Sequence, residues 1–566
     1  MDSSDVHPAY RTSDSLPEAG NTHISESLSH DAEKPSDGGH ILNSNEQAER
    51  TQNAQTASIR STTSKNEYGA TQGDLEKSGQ EISTEDELPD PNIVTWDSPS
   101  DPQNPMNWSS LWKVSNIILI SALTFVTPLA SSMFAPGVPA LMVEFQSTNT
   151  ALAGFVVSAY ILGFAFGPLF LAPLSEVYGR VPVYHACNVL FIIFTVACAL
   201  ATNLNMLIGF RFLAGIWGSA VLTNGGGTIT DMVAQENRGA AMSGFAMGPI
   251  LGPVIGPVAG GFLAQSKGWR WVFWVITMIS GFFSILSFIF LRESYAPVIL
   301  ARKTKRLRKE TNNPQLVSKL DHGLTPKDFF LRSIVRPAKL SIRSPIVLST
   351  SIYMAIVYGY LYLLFTTFTI VFEESYHFST GSVGLTYLGL GIGSILGLTT
   401  FAALSDRIIK SKTAKAQSES DSTDPSSAPA QMKPEYRLPF LIPGAFLIPI
   451  GLFMYGWTAK YRVHWIVPII ATSFIGIANM FIFMSINLYL VDAFTVYAAS
   501  ALAANAVFRS VMGAVLPLAG QQMYETLGLG WGNSLLAFIA VGLIPVPFVL
   551  LKWGERVRVR WPVSNL

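Results

Sequence analysis

Gly248-Pro249-Ile250-Leu251-Gly252-Pro253-Val254-Ile255-Gly256-Pro257-Val258-Ala259-Gly260-Gly261 is the stretch that decides how this chain is read. Glycine recurs at every fourth position from 248 to 260, and proline follows three of those glycines. The apolar run around it, near 241–264, is long enough to cross a bilayer as a helix. Glycines spaced by four share one helix face and leave a groove where a second backbone can approach closely. Proline inside a helix removes a hydrogen bond and bends the axis. The stretch therefore predicts a kinked, grooved membrane helix, suited to two halves that rock against each other. A tightly packed helix with no mechanical part is the plainer alternative.

The rest of the chain fits that setting. Of 566 residues, 49% are hydrophobic and 13% charged, about half the charge of a soluble protein. Mean hydropathy is +0.34. Formal net charge is zero, so bulk charge points to no partner and nothing suggests nucleic acid. Spanning-length apolar runs lie near 114–134, 151–173, 183–201, 206–229, 241–264 and 271–291. A second six lie near 346–371, 382–404, 438–457, 465–486, 498–519 and 533–551. Six, loop, six predicts an all-α membrane protein of two related six-helix halves around a central cavity.

Outside the spans the chain is polar. Residues 1–105 are rich in Ser, Thr, Asp, Glu, Asn and Gln and are expected to be a disordered tail. The first half is placed at 106–291, a hydrophilic central loop at 292–345, and the second half at 346–552. The second half carries a Ser/Pro-rich insertion at 411–434, expected to be flexible, and a short tail follows at 553–566. Basic residues crowd the loops on one side, with Arg180, Arg238, Arg407, Lys410, Lys412 and the cluster Arg302–Lys309, while the other side holds only Lys267, Arg270, Lys460 and Arg462. The positive-inside rule then places both termini in the cytoplasm. Cys187 and Cys198 stand eleven residues apart on one span, about 16 Å along its axis, so no disulfide is expected. There is no metal cluster, nucleophile elbow or phosphate loop, so no enzyme, metal or cofactor is expected.

Several charged residues sit where charge is costly or mechanically useful. In Leu174-Ser175-Glu176-Val177-Tyr178-Gly179-Arg180, a carboxylate and a guanidinium lie close at helix ends, where they can pair or cap. Asp231 and Arg238 bound the connection after the fourth span, where a structural salt bridge is expected. Arg211 lies within the fourth span. A charge there is expensive and usually functional, unless it snorkels to the nearby interface. No carboxylate occupies the middle of any span, so Glu176, Asp231 and Asp492 are the acids within reach of the basic side. Polar and aromatic residues inside spans are the candidates to line a cavity: Asn116, Tyr160, Trp217, Asn224, Tyr353, Tyr358, Tyr362, Tyr387, Asn479, Asn487, Asn505 and Arg509. Aromatics with few polar anchors suit apolar or cationic compounds.

These segments resemble known signatures. Leu174–Arg180, with Gly167 upstream, is similar to the cytoplasmic loop signature of the major facilitator superfamily. Glu176 stands where aspartate is usual, and Val181 where a basic residue is common. Leu404-Ser405-Asp406-Arg407 looks like its degenerate copy in the second half. That likeness implies that Glu176, Arg180, Asp406 and Arg407 belong to a latch between the halves. Arg211-Phe212-Leu213-Ala214-Gly215 resembles the fourth-span signature of drug:proton antiporters, which implies a part for Arg211 in proton coupling. Gly248, Pro249, Gly252, Pro253, Gly256, Pro257, Gly260 and Gly261 resemble the antiporter signature of the fifth span. Asp101-Pro102-Gln103-Asn104-Pro105-Met106-Asn107-Trp108, Gly268–Trp274, Tyr489–Asp492 and Tyr497–Asn505 are similar to the fungal twelve-span drug:proton antiporters. That group includes multidrug, polyamine and mycotoxin exporters, and the likeness covers about 105–555. It implies a monomeric plasma-membrane exporter of small molecules driven by protons. A polyamine exporter, a nutrient importer and a non-transporting sensor are the alternatives.

Overall fold

The computed structural model describes residues 92–234, 238–321, 323, 325–423 and 432–561. The expectations for the tail before 92, for Gln235–Asn237, for 424–431 and for 562–566 fall outside those residues.

Helices dominate, and three of the described spans begin at a side-chain cap. Asn149 Oδ1 accepts from the Leu152 amide at 3.2 Å, and Asn203 Oδ1 from the Met206 amide at 2.9 Å. Each satisfies a donor that the first helical turn leaves unpaired. Ser344, followed by Pro345, does the same for Val347 at 3.4 Å. The first half contains spans at Ser110–Ser132, Thr150–Tyr178, Arg180–Ala199, Leu204–Met232, Arg238–Lys267 and Arg270–Phe290. The second begins with Pro345–Tyr376, Thr380–Thr423, Leu441–Lys460 and Ile466–Ala493. The last run, Ala498–Leu543, is unbroken except at Gly528, whose φ of 71° and ψ of 167° are not helical. Tyr524 nevertheless donates to Asn533 Oδ1 at 3.1 Å. On a straight helix nine positions would separate those residues by about 13 Å, so the chain reverses at Gly528. Among the described residues the bundle thus has twelve spans, the all-α architecture the six-loop-six pattern predicts.

Two boundaries and the content of the central loop add to the sequence reading. The expected disordered tail ends too late, because residues 92–107 are ordered. Ile93–Val94 pairs in parallel with Val317–Ser318 of the central loop, and Pro105–Asn107 forms a helical turn capped by Asn104. The central loop is not featureless: it folds into helices Ala296–Thr311 and Pro326–Arg343. Lys303, on the first of these, has a buried side chain that donates to Asp97 Oδ1 at 2.6 Å and to the Thr95 carbonyl at 3.1 Å. Asp101 Oδ2 lies 3.8 Å from the same ammonium. A lysine buried this way needs its charge matched, and the two aspartates of the segment before the first span match it. The insertion expected to be flexible over 411–434 is helical at its start, because the eighth span runs on as helix to Thr423.

The two halves meet toward the end of the bundle that carries Lys267 and His377. Ser158 donates to the Ala514 carbonyl at 2.9 Å. The Gly381 amide donates to Gln265 Oε1 at 2.9 Å, and Thr369 to the Ala135 carbonyl at 3.4 Å. Small residues make this approach possible. A Cβ on Gly261 would sit 2.7 Å from the Thr380 carbonyl oxygen, and one on Gly154 2.9 Å from that of Pro517.

Candidate functional site: the fifth span, a caged arginine and the central cavity

The glycine face of the fifth span packs on the backbone of the first. A Cβ on Gly248 would lie 3.0 Å from the Phe125 nitrogen, on Gly252 2.8 Å from the Leu129 nitrogen, and on Gly256 3.1 Å from the Met133 nitrogen. A Cβ on Gly260 would collide with the Met133 carbonyl. The proline face turns the other way. Pro249 and Pro253 line a cavity midway along the bundle, and the Pro257 carbonyl backs on Gly384 of the eighth span. Each proline also leaves the carbonyl four residues earlier without its helical donor, so the prolines free the carbonyls of Phe245, Pro249 and Pro253. One helix therefore joins a rigid seam within the first half to the cavity wall and the second half.

Arg211 is enclosed, with 1% of its surface exposed. Its Nε donates to the Val156 carbonyl at 2.5 Å, and one terminal nitrogen to those of Ser131 at 3.1 Å and Val157 at 3.3 Å. The rings of Phe134, Tyr160 and Phe273 surround the guanidinium at 5.2, 5.4 and 5.7 Å. Carbonyl dipoles and ring faces take the place of a carboxylate here. The snorkelling alternative is excluded by this burial.

The cavity has a volume of about 140 Å³ and lies between the halves. Tyr358, Tyr362, Asn479 and Arg509 from the expected set line it, together with Phe164, Phe365, Phe483, Pro128 and Met480. No carboxylate lines it. A second hollow, about 270 Å³, opens toward the His377 end between Gly154, Met142, Thr366, Glu373 and Gln521.

The other expected cavity residues are placed elsewhere. Asn116 donates to the Trp112 carbonyl at 2.7 Å and accepts from the Arg292 amide at 3.2 Å, tying the first span to the end of the sixth. Tyr160 belongs to the Arg211 cage and donates to the Thr127 carbonyl at 3.0 Å. Trp217 packs on Phe170 in a separate cluster. Asn224 accepts from Ser175 at 3.0 Å, and Ser175 in turn accepts from Arg180 at 2.6 Å. Tyr353 is buried in the main core. Tyr387 donates to the Phe365 carbonyl at 2.8 Å, behind the cavity wall. Asn505 donates to Asn487 at 3.4 Å. A buried amide without water is satisfied most readily by a neighbouring helix, as Asn224 is by Ser175, whereas Asn505 Oδ1 and Trp217 Nε1 find no partner.

At the Arg180 end the charges form clusters within each half. Arg180 pairs with Asp231 at 3.3 Å, and Arg238 donates instead to the Val233 and Thr230 carbonyls. Glu293 accepts from the amides of Arg180 and Val181 at 2.9 and 3.3 Å, closing the turn at Gly179, whose φ is 104°. In the second half, Arg437 lies 2.9 Å from Asp492 and 3.7 Å from Asp406, and Arg558 lies 3.3 Å from Glu435. Arg407 is exposed. Glu293, Arg437 and Glu435 lie outside every motif read from the sequence.

Comparison with known proteins agrees with this architecture. The family model for the Major Facilitator Superfamily matches residues 120–517. The chain is 59% identical over 469 residues to the MFS-type transporter tndD of Aspergillus flavipes, an alignment spanning 83% of this chain and 86% of that protein. It is 56% identical over 474 residues to the MFS-type transporter penM of Penicillium rubens, spanning 84% and 91%. It is 52% identical over 477 residues to the efflux pump radE of Floropilus chiversii, spanning 84% and 87%. Among solved structures, the xylose transporter XylE from E. coli in a partially occluded inward-open conformation superposes with a TM-score of 0.55 at 16% identity. That match covers 78% of this chain and 98% of XylE.

Proposed function

Because the chain belongs to the major facilitator superfamily, we propose that this membrane transporter exports small amphipathic compounds from the cytoplasm in exchange for protons, by alternating access. It is not an enzyme. The observation that carries the reading is the two-faced fifth span. Its glycines fix it to the first span, while Pro249 and Pro253 face the cavity and Pro257 meets the second half. A helix built this way transmits a tilt of the first half directly to the cavity wall.

Under the positive-inside rule the Arg180 end faces the cytoplasm and both termini lie there. The contacts between the halves toward the opposite end support a cavity that opens to the cytoplasmic side. The charge clusters around Arg180, Asp231, Asp406 and Asp492 then serve as the gate on that side, and Arg211 tunes the proton step electrostatically. The membrane is the plasma membrane and the working unit a monomer. The names of the relatives speak for transport over sensing, and the proline-rich fifth span speaks for export over nutrient import.

The energy is sufficient. One proton crossing about 100 mV supplies about 2.3 kcal/mol, and one pH unit adds about 1.4 kcal/mol. Together they sustain roughly a 500-fold gradient of a neutral compound per proton. The test is efflux from energised vesicles. A protonophore should abolish uphill transport even with ATP present, and transport that survives it would refute the proposal.

A further inference from the structure

Arg211 and Arg509 both stand well inside described spans, and they are held differently. Arg211 has carbonyls of Val156, Val157 and Ser131 as acceptors. Arg509, on the eleventh span, lines the central cavity. Its Nε is buried and finds no hydrogen-bond acceptor. Its guanidinium carbon lies 5.1 Å from the Phe483 ring centre and 5.5 Å from that of Tyr358. Ring faces attract the charge but accept none of its planar donors in the bidentate way a carboxylate does. A guanidinium keeps its proton under all ordinary conditions. The wall of the cavity therefore carries a permanent positive charge with donors to spare.

The remainder of the wall gives that charge no relief. Among the described residues no Asp or Glu lines the cavity. Asn479, the amide in the lining set, has its own Oδ1 without a partner. Phe164, Phe365 and Met480 supply apolar surface.

We infer that the cavity takes amphipathic anions, with Arg509 as the counter-charge for a carboxylate or similarly acidic oxygen and the aromatic wall holding the apolar body. The inference rests on the transporter reading and names its substrate class. Against the expectation of apolar or cationic compounds, it keeps the apolar body and reverses the charge. A polyamine would meet a like charge and no carboxylate, which in a low-dielectric site is strongly unfavourable.

The test uses the full-length protein in detergent and in proteoliposomes, with three probes: a naphthalene carboxylate, its methyl ester and spermidine. The carboxylate should bind at least tenfold more tightly than the ester at pH 7, measured by competition and by quenching of tryptophan fluorescence. The preference should disappear as the pH falls through the carboxylate's own pKa, a readout that needs no variant. Arg509→Gln should bring carboxylate binding down to the ester's level, and Arg509→Lys, which keeps the charge and loses the fork, should retain part of the preference. If Arg509→Gln melts at a lower temperature than the parent, the pH series and Arg509→Lys decide the matter. Equal binding of carboxylate and ester, absence of carboxylate binding, or tighter binding of spermidine overturns the inference. Tight carboxylate binding without proton-driven movement would instead refute the transport reading and leave the anion site standing. Proton-driven efflux of the ester with no preference for the acid would do the reverse.

Discussion

The guanidinium of Arg437 donates to the carboxylate of Asp492 at 2.9 Å, joining the start of the ninth span to the end of the tenth. Both side chains are largely shielded from solvent, so the pair is worth more than a surface ion pair. Arg437→Gln should destabilise the protein by roughly 1.5–3 kcal/mol, the range for a hydrogen bond to a charged group. Asp492→Asn added to it should recover part of that loss, because the orphaned charge is gone. Melting in detergent micelles of the two single variants and the double variant checks the pair. Strict additivity of the single effects would mean that the two residues are not coupled.

Gly252→Leu should abolish transport and lower stability, since a Cβ at that position already lies 2.8 Å from the Leu129 nitrogen. Overpacking of this kind costs about 1–3 kcal/mol. The effect should rank with proximity, so Gly260→Ala, which collides with the Met133 carbonyl, should be worse than Gly248→Ala at 3.0 Å from the Phe125 nitrogen. Thermal melting and efflux at matched surface expression give the ranking. Normal transport by a surface-expressed Gly252→Leu protein would contradict the packing.

Arg211→Lys should fail nearly as badly as Arg211→Ala in proton-driven efflux at equal expression. Lysine brings one compact ammonium, whereas the carbonyls of Val156, Ser131 and Val157 are reached from two different nitrogens of a planar fork. Full activity of the lysine variant would show that charge alone suffices at this site.

The segment before the first span should loosen only in strong acid. The Gln103 amide donates to Asp101 at 2.8 Å and, against the opposing effect of burial, holds its carboxyl below the ordinary aspartate value; the Asp97 amide and Lys303 act in the same direction. A carboxyl whose folded pKa is depressed contributes stability that is fully present above the unfolded value, about 3.9. That contribution disappears as the pH falls through the lower folded value. Spin labels at Ile93 and Val317, paired across the two short strands, should report a narrow distance distribution from pH 7 to 5 that broadens only below the ordinary aspartate range. Asp101→Asn should remove this acid transition. Broadening already near pH 6 would argue against Asp101 as the controlling group.

The helical architecture was legible because membrane spans announce themselves by length and apolarity, needing no knowledge of their neighbours. The fifth-span groove was legible for the same reason, since glycine spacing is a property of one helix. The identity of its partner, the first span, was not. Pairings such as Arg180 with Asp231 depend on which helix ends the fold brings together. Arg437 drew no notice because it lies in no motif. The cavity was the least legible part. Asn116, Asn224 and Asn505 looked like ligand contacts because they are polar within apolar runs, yet a buried amide is most easily satisfied by another helix. Phe164, Pro128 and Met480, which do line the cavity, look like any other core residue in a membrane span. Tyr358, Tyr362, Asn479 and Arg509 were legible as polar or aromatic residues inside spans, whereas Pro249 and Pro253 read only as bends in one helix.

The reversal at Gly528 is the shortest of six connections at the Lys267 end. The others are Phe145–Asn149, Leu200–Asn203, Gly268–Trp269, His377–Ser379 and Tyr461–Trp465. None of these non-helical stretches exceeds five residues, the first of them following a short helix, Val138–Glu144, that continues from the first span, and Arg270 at one of them is tied to Glu144 and the Ala201 carbonyl. Proteases and antibodies need a length of chain that can leave the surface, so this face offers them almost no purchase. Epitope tags placed in these turns would have to break a helix pair to be seen. A protease added to intact cells should leave the protein whole, and the same protease applied to everted membranes should cut it in the linker between the halves.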